Sequence, residues 1–373
     1  MNFLSKERAT LEKFLPTLDE RLQAKSLLDL ESKESPALEI FRQLGGPGLL
    51  IPREYGGAGV TPLQLTHIQR AIATRSPSLA IAANMHHCTV AALLESIADE
   101  SVGEFIRAIA DNNLYLASGF AEGKTGTSIL LPSMKCQRVS DGLIVSGSKK
   151  PCSLSASMDF LTASAMIPGK SEDGDQLALV IIPADSPGIE RKPFWNTWVL
   201  QGAESEEVIL NEVFVPEEFV YYLGKPEDLG NILAKAFIWV ELFLSASYLG
   251  AASGLVERVI AQGKGTPTER AFLASEVEAA MAGLEAVAHS IMFVGNTDTE
   301  VAQSLFVRYS VQRAIERVTE TSTELLGGIA FIRSEEVAYL LAASRALAFH
   351  PPSRVSMTPY LDDYLAGKPL VIP

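Results

Sequence analysis

Apolar residues recur at three-and-four spacing as far as about Asn113, give way to short β-branched and apolar runs that end near Phe219, and return to the helical spacing from about Gly230 to Ala348. The first pattern places apolar side chains along one face of a helix, and the second suits strands bounded by turns. A chain that runs helices, then strands, then helices segregates its α and β layers. The pattern divides the 373 residues into a helical part at 1–113, a β-domain at 114–222 and a helical bundle at 223–373. With 47% hydrophobic and 20% charged residues, a chain of this length can bury a large core.

Within the first part, Phe3, Leu4, Leu11, Phe14, Leu15, Leu18 and Leu22 predict one or two packed helices before Lys25. The glycine- and proline-dense stretch from Leu44 to Gly59 predicts a structured loop. The runs LTHIQRAIATRS and SLAIAANMHHCTVAALLE then carry apolar faces broad enough for a bundle interior. The β-domain is read from LIVSGSK, FLTASAMI, LALVIIP and EEVILNEVFVP, separated by Gly, Pro, Asp and Ser. Long periodic runs at Ile232 to Gln262, Thr268 to Phe293 and Thr299 to Leu326 predict the C-terminal helices.

Composition narrows the function classes. A formal charge of -14, with no Lys- or Arg-rich run, repels phosphate backbones and argues against nucleic acid as a partner. No uninterrupted apolar stretch approaches the roughly 18 residues that would span a bilayer, and the first twenty residues lack the basic start and apolar centre of a secretory signal. The expectation is a cytoplasmic protein with no membrane partner. Cys88, Cys136 and Cys152 show no CxxC spacing and read as buried thiols. Adjacent His86 and His87, between Met85 and Cys88, point in different directions on a helix, so no metal site is expected.

Local sequence adds a family. GLLIPREYGGAGVTPLQL carries Pro52, Tyr55, Gly56, Gly57 and Gly59 and resembles the P-x-x-Y-G-G-x-G element of acyl-CoA dehydrogenases. AEGKTGTS, from Ala121 to Ser128, stands where that family has T-E-P-G-x-G-S-D. SGSKKPCSLSAS stands in place of N-G-x-K-x-W-I-T-N, so that Lys149 matches the lysine and Ser153 the threonine. VLQGAESEEVILNEVFVPEEFV resembles the family's strand pair ending in a V-P turn, and TELLGGIAFI its late Q-x-x-G-G-x-G segment. The resemblance covers nearly the whole chain and implies an N-terminal helical domain, a middle β-barrel-like domain and a C-terminal four-helix bundle.

It also implies FAD between the β-domain and the C-terminal helices, an acyl thioester on CoA or a carrier protein, an electron-transfer partner or oxygen, and a homodimer or homotetramer. The residues it assigns to the cofactor are Glu122, Thr125, Gly126, Thr127, Cys152, Ser153, Gly327 and Gly328. Small hydroxyls such as Thr127 and Ser153 can hydrogen-bond a flavin, but they can equally be turn and strand hydroxyls. Gly327 and Gly328 can admit the adenine end of FAD or form a helix C-cap. The basic-Phe-Gly pattern that grips FAD phosphates across the family's dimer is replaced here by QGKGTPTERAF.

Dehydrogenation beside a thioester needs a base for the α-proton. The family's late glutamate falls on Pro351 here, and the alternative position, ten residues before Gly250, falls on Val240. Glu241 stands one residue away and His350 beside Pro351, and these are the two candidate bases. One residue is about 100° around a helix, so Glu241 faces away unless a bulge restores it. Three readings follow: an FAD-dependent acyl-thioester dehydrogenase, a flavin monooxygenase on the same fold, for which the missing glutamate is no loss, and a non-catalytic binding relative.

Overall fold

The computed structural model describes residues 2–95, 100–123, 132–169, 174–225, 230–294 and 297–372. Four short helices open the chain: α1 (Ser5–Phe14), α2 (Leu18–Gln23), α3 (Leu27–Glu31) and α4 (Ala37–Gln43). The Gly- and Pro-rich stretch that follows forms two short 3-10 turns and no α-helix. Helices α5 (Pro62–Ala73), α6 (Pro77–Leu94) and α7 (Glu100–Asn112) complete the first layer. Thr61 and Ser76 cap α5 and α6, each followed by a proline whose missing N–H is one of the helix's unbonded donors in any case.

The β-domain holds β1 (Leu116–Gly119), β2 (Lys135–Val139), β3 (Gly142–Cys152), β4 (Phe160–Ile167), β5 (Gln176–Pro183), β6 (Ile189–Lys192), β7 (Glu206–Pro216) and β8 (Val220–Gly224). The strand texture thus runs a few residues past Phe219. Two four-stranded sheets form, ordered β1-β4-β5-β8 and β2-β3-β7-β6. β1 pairs with β4 in parallel, Leu116 opposite Phe160, and the other pairings are antiparallel. β4 and β5 are buried along nearly their whole length, as strands covered on both faces must be. Phe105 of α7 meets Phe160 edge-on at 5.1 Å, seating the first layer on the sheet.

The C-terminal part contains α8 (Gly230–Ala261), α9 (Pro267–Phe293), α10 (Asp298–Leu326), α11 (Gly328–Arg333), α12 (Glu335–Ser344) and α13 (Arg354–Leu365). Capping boxes at Thr266/Glu269 and Thr297/Glu300 fix the starts of α9 and α10. Ser353 starts α13, beyond the last helical run legible in the periodicity. Between Ala236 and Ala261, α8 is long and apolar enough to cross a membrane by length and composition, yet it is largely buried inside the protein. α5, α6, α9, α10 and α12 all pack on it, so it is the axis that joins the two helical parts.

Glycine sets the closest of these approaches. A Cβ at Gly250 would lie 2.4 Å from the Arg70 carbonyl oxygen and 2.7 Å from the Ala73 Cβ, both on α5. Arg70 itself is buried and bonds Glu7 of α1 at 2.6 Å, Glu278 of α9 at 2.8 Å and Ser253 of α8 at 3.2 Å. Moving α5 away from α8 would therefore disturb an ion-pair network across four helices. Gly250→Ala is expected to destabilise the protein by about 1–3 kcal/mol through overpacking, although alanine favours a helix by roughly 1 kcal/mol over glycine. Urea unfolding measures the difference; an unchanged midpoint would mean that the two helices separate freely.

Candidate active site

β3 ends in Lys149, Lys150, Pro151 and Cys152, and alternation along the strand turns the two lysines apart. The buried Lys149 ammonium donates to the Glu122 carboxylate at 3.0 Å and to the Ser164 carbonyl at 3.1 Å. Lys150 points outward, pairs with Glu207 at 2.8 Å and lies 5.7 Å from the centre of the Phe194 ring. Burial opposes charge on Glu122, but hydrogen bonds from Ser133 and Lys149 prevail and hold its carboxyl down at about 2. Desolvation lowers the Lys149 ammonium, with Glu122 pulling it back. Glu122 thus serves as a fixed anion that orients the strand end. Thr125, Gly126 and Thr127 lie outside the described residues.

Cys152 is fully buried, and desolvation pushes its thiol up to about 12, so it is a neutral packing residue at physiological pH. The Ser153 hydroxyl lies 2.9 Å from that of Ser205, both buried. Only one of the two can donate to the other, which leaves one hydroxyl hydrogen for a further acceptor.

The segment from Trp198 to Ser205 connects this cluster to a second one. Leu200 (φ 62°) and Glu204 (φ 54°) both take the left-handed conformation without being glycine, at a cost on the order of 1–2 kcal/mol each. Side chains from elsewhere hold them there. The Tyr339 hydroxyl of α12 accepts the Leu200 N–H at 2.8 Å and donates to the Glu31 carboxylate. Glu31 also accepts from the Ser76 hydroxyl at 2.6 Å and from the Ser78 amide and hydroxyl at the start of α6. Burial lifts the Glu31 carboxyl to about 7 against these bonds. The Glu204 carboxylate accepts the Ser157 amide and hydroxyl, each at 2.7 Å.

Trp198 then forms one wall of a groove of about 920 Å³, together with Gly327 and Gly328, and its charged lining is Arg345 with Glu316, Glu320 and Glu324. Gly327 (φ 87°) caps α10, its N–H reaching the Thr323 carbonyl at 3.1 Å, and Gly328 begins α11. No atom of the described chain lies within 4 Å of a Cβ placed on either glycine. The cap and the open approach therefore coexist at this corner. A groove of this size accommodates a nucleotide-sized ligand.

The two candidate bases occupy a separate place. Glu241 is 1% exposed, and its Oε2 lies 2.5 Å from Nη1 of the equally buried Arg308 on α10. Burial raises the Glu241 carboxyl above its ordinary value against the pull of Arg308. Arg308 Nη2 donates to the Leu347 carbonyl at 3.2 Å and the His350 carbonyl at 2.6 Å. His350 Nε2 lies 2.7 Å from the Tyr248 hydroxyl, and desolvation with the Arg308 charge holds its imidazole down at about 4, hence neutral. Arg308 thus brings Glu241 and His350 together, and no hydrogen bond among the described residues joins them to Ser153 or the groove. On α8, Trp239 and Val240 are half-buried while Glu241 turns to the interior.

Sequence reasoning did not find Arg308, Tyr339, Glu31 or Ser205. Arg308 had a signal, a lone cation in the apolar run LFVRYSV. The others are common residues whose partners lie far away in the chain.

Comparison with known proteins adds a family model and close relatives. Residues 7–112 match the model described as acyl-CoA dehydrogenase, N-terminal domain. The chain is 44% identical to isobutylamine N-hydroxylase of Streptomyces viridifaciens, over 100% of both chains. Among solved structures, FMN-bound TdsC from Paenibacillus sp. A11-2 superposes with a TM-score of 0.81 at 19% identity, covering 100% of this chain and 99% of that one. A glutaryl-coenzyme A dehydrogenase in complex with glutaryl-CoA gives 0.78 at 21% identity, covering 99% and 95%. At these identities the two structures bear on the fold alone.

Removing Arg308 leaves the Glu241 carboxylate buried without its cation, so Arg308→Met is expected to cost about 3–5 kcal/mol at neutral pH. The sign with pH follows from a carboxyl whose folded-state value is raised: stability is fullest below the unfolded value of about 4.5 and falls as pH rises through the folded value. Arg308→Met should therefore regain stability on acidification, and adding Glu241→Leu should recover more than half of the loss. Thermal unfolding across pH checks both; a variant whose deficit does not change with pH would contradict the assignment.

Proposed function

Because this chain belongs to the acyl-CoA dehydrogenase family, we propose that it is a flavin-dependent monooxygenase that hydroxylates the nitrogen of a small aliphatic primary amine. The observation that carries the reading is the state of the base. Val240 and Pro351 occupy the positions that the family resemblance reserves for the carboxylate, and neighbouring Glu241 is tied to Arg308 inside the bundle. α,β-Dehydrogenation of an acyl thioester requires that base, and N-hydroxylation does not. Full-length similarity to isobutylamine N-hydroxylase supports the same choice.

The residues present suit a flavin. The Ser153–Ser205 pair keeps a hydroxyl hydrogen for a ring acceptor, and Trp198, Gly327 and Gly328 leave open a groove of nucleotide size whose wall carries Arg345 together with the carboxylates of Glu316, Glu320 and Glu324, so that a nucleotide's phosphates belong beside Arg345 and its uncharged part along α10. A reduced flavin bound there would supply the two electrons for splitting dioxygen between the amine nitrogen and water. The protein must keep the amine unprotonated so that its lone pair is available. Val240, which stands where the family resemblance reserves the base, would serve this, since apolar surroundings disfavour the ammonium form. A reductase that delivers reduced flavin is the partner this chemistry calls for.

Ile329, Ile332, Phe349 and Val355, all at least 70% exposed on the C-terminal helices, support assembly of this chain into a homo-oligomer. The residues 262–272 that replace the family's phosphate-gripping pattern lie in the turn and capped start of α9.

The purified protein is expected to bind FAD or FMN and to stay oxidised when mixed anaerobically with acyl thioesters. Supplied with reduced flavin, oxygen and isobutylamine, it should form the hydroxylamine, one atom of ¹⁸O₂ entering each product molecule. Bleaching of the flavin by a thioester would restore the dehydrogenase reading, and absence of flavin binding would leave a binding protein.

A further inference from the structure

We propose that Tyr339 is the positioning residue of the flavin site: it holds the segment from Trp198 to Ser205 in the one conformation that sets Ser205 against Ser153 and Trp198 against the Gly327–Gly328 groove. The inference rests on the flavin reading above and names how the two halves of that site are kept in register.

The segment does not hold this shape by local preference. Leu200 and Glu204 are two of the seven non-glycine residues with positive φ among the described residues, and they lie four apart in one loop. Such conformations persist when surrounding structure over-determines them, and they gather at functional sites. At the Glu204 end the β-domain itself supplies the restraint, through Ser155 and Ser157. At the Leu200 end Tyr339 is the restraint that comes from the helical part: its hydroxyl takes the Leu200 N–H, and its ring meets Trp198 edge-on at 5.2 Å, while within the β-domain the Trp195 indole N–H donates to the Val199 carbonyl at 2.6 Å.

Tyr339 is in turn fixed from behind. Its hydroxyl donates to Glu31, which is seated by Ser76 and Ser78 at the start of α6. A chain of contacts therefore runs from the N-terminal helices through α12 to the loop. Tyr339 itself does not line the groove, whereas its neighbours Ala338, Leu341 and Ala342 do. It acts on the site through Trp198 and Leu200.

Tyr339→Phe keeps the ring under Trp198 and removes both hydrogen bonds. In the full-length protein without flavin, hydrogen exchange at the amides of residues 198–205 is expected to accelerate by about tenfold, the size that loss of one buried hydrogen bond produces. Titration of FAD and FMN, followed by flavin fluorescence, should show an affinity weakened by about tenfold or more. Val277→Ala, a cavity on α9 away from the loop, is the control for lost stability and should alter neither readout. Exchange that stays at the wild-type rate in Tyr339→Phe overturns the proposal whatever the flavin result. Faster exchange with unchanged flavin affinity also overturns it, since the loop would then have no bearing on the site. Wild-type protein that binds neither flavin overturns the functional reading and this inference with it, and that failure is recognised before any variant is made.

Discussion

A helix as apolar as α8 has to be covered on all sides, and most of the architecture follows from covering it. Five other helices do so, drawn from both ends of the chain, which is why the N-terminal and C-terminal parts form one helical body. Any charge carried into that interior must bring a partner, because an unpaired buried ion is too costly to keep. Glu241 meets Arg308, and Glu257 meets Arg8 of α1 at 2.6 Å. Arg308 has donors to spare after Glu241, and they fix the carbonyls of Leu347 and His350. The turn that carries His350 is placed by the same interaction that takes Glu241 out of play.

The β-domain meets α6 through strand β1, but it reaches α12 and the groove through irregular backbone. Regular strands and helices cannot present a serine to Ser153 and an indole to the groove from the same eight residues, so the loop from Trp198 to Ser205 adopts conformations that its residue types do not favour. Hydrogen bonds from distant side chains compensate. Those partners are Ser155 and Ser157 of the second region and Tyr339 of the third, and Tyr339 is itself held by Glu31 of the first. A site assembled in this way forms only when the whole fold is complete.

Much of the fold was legible because period is a local property. The change of spacing near Asn113 and its return near Gly230 locate the strands to within a few residues, and the runs read at Thr268 to Phe293 and Thr299 to Leu326 nearly coincide with α9 and α10. The short helices α3 and α4 and the late α13 were harder, since five to twelve residues give too few turns for a pattern. The candidate site was legible only in part. Ser153, Gly327 and Gly328 could be named from motif spacing, but Ser205, Tyr339 and Glu31 act through partners 52, 139 and 308 residues away. No periodicity or motif reports contacts at such separations.

The fold alone does not choose the reaction, since the same architecture serves a glutaryl-CoA dehydrogenase and the FMN-bound TdsC. On the proposed reading, what separates a dehydrogenase from a monooxygenase here is which side of α8 a carboxylate occupies. A single residue turns a side chain by about 100°, enough to carry Glu241 from the half-buried face of Trp239 and Val240 into the bundle, where Arg308 fixes it. Once there it cannot be recruited as a base without breaking a buried ion pair, and the face it left carries no carboxylate at Trp239 or Val240. On that reading, an active site without a base has no means of taking an α-proton, and a neutral amine, whose nucleophilic lone pair is already available, needs none.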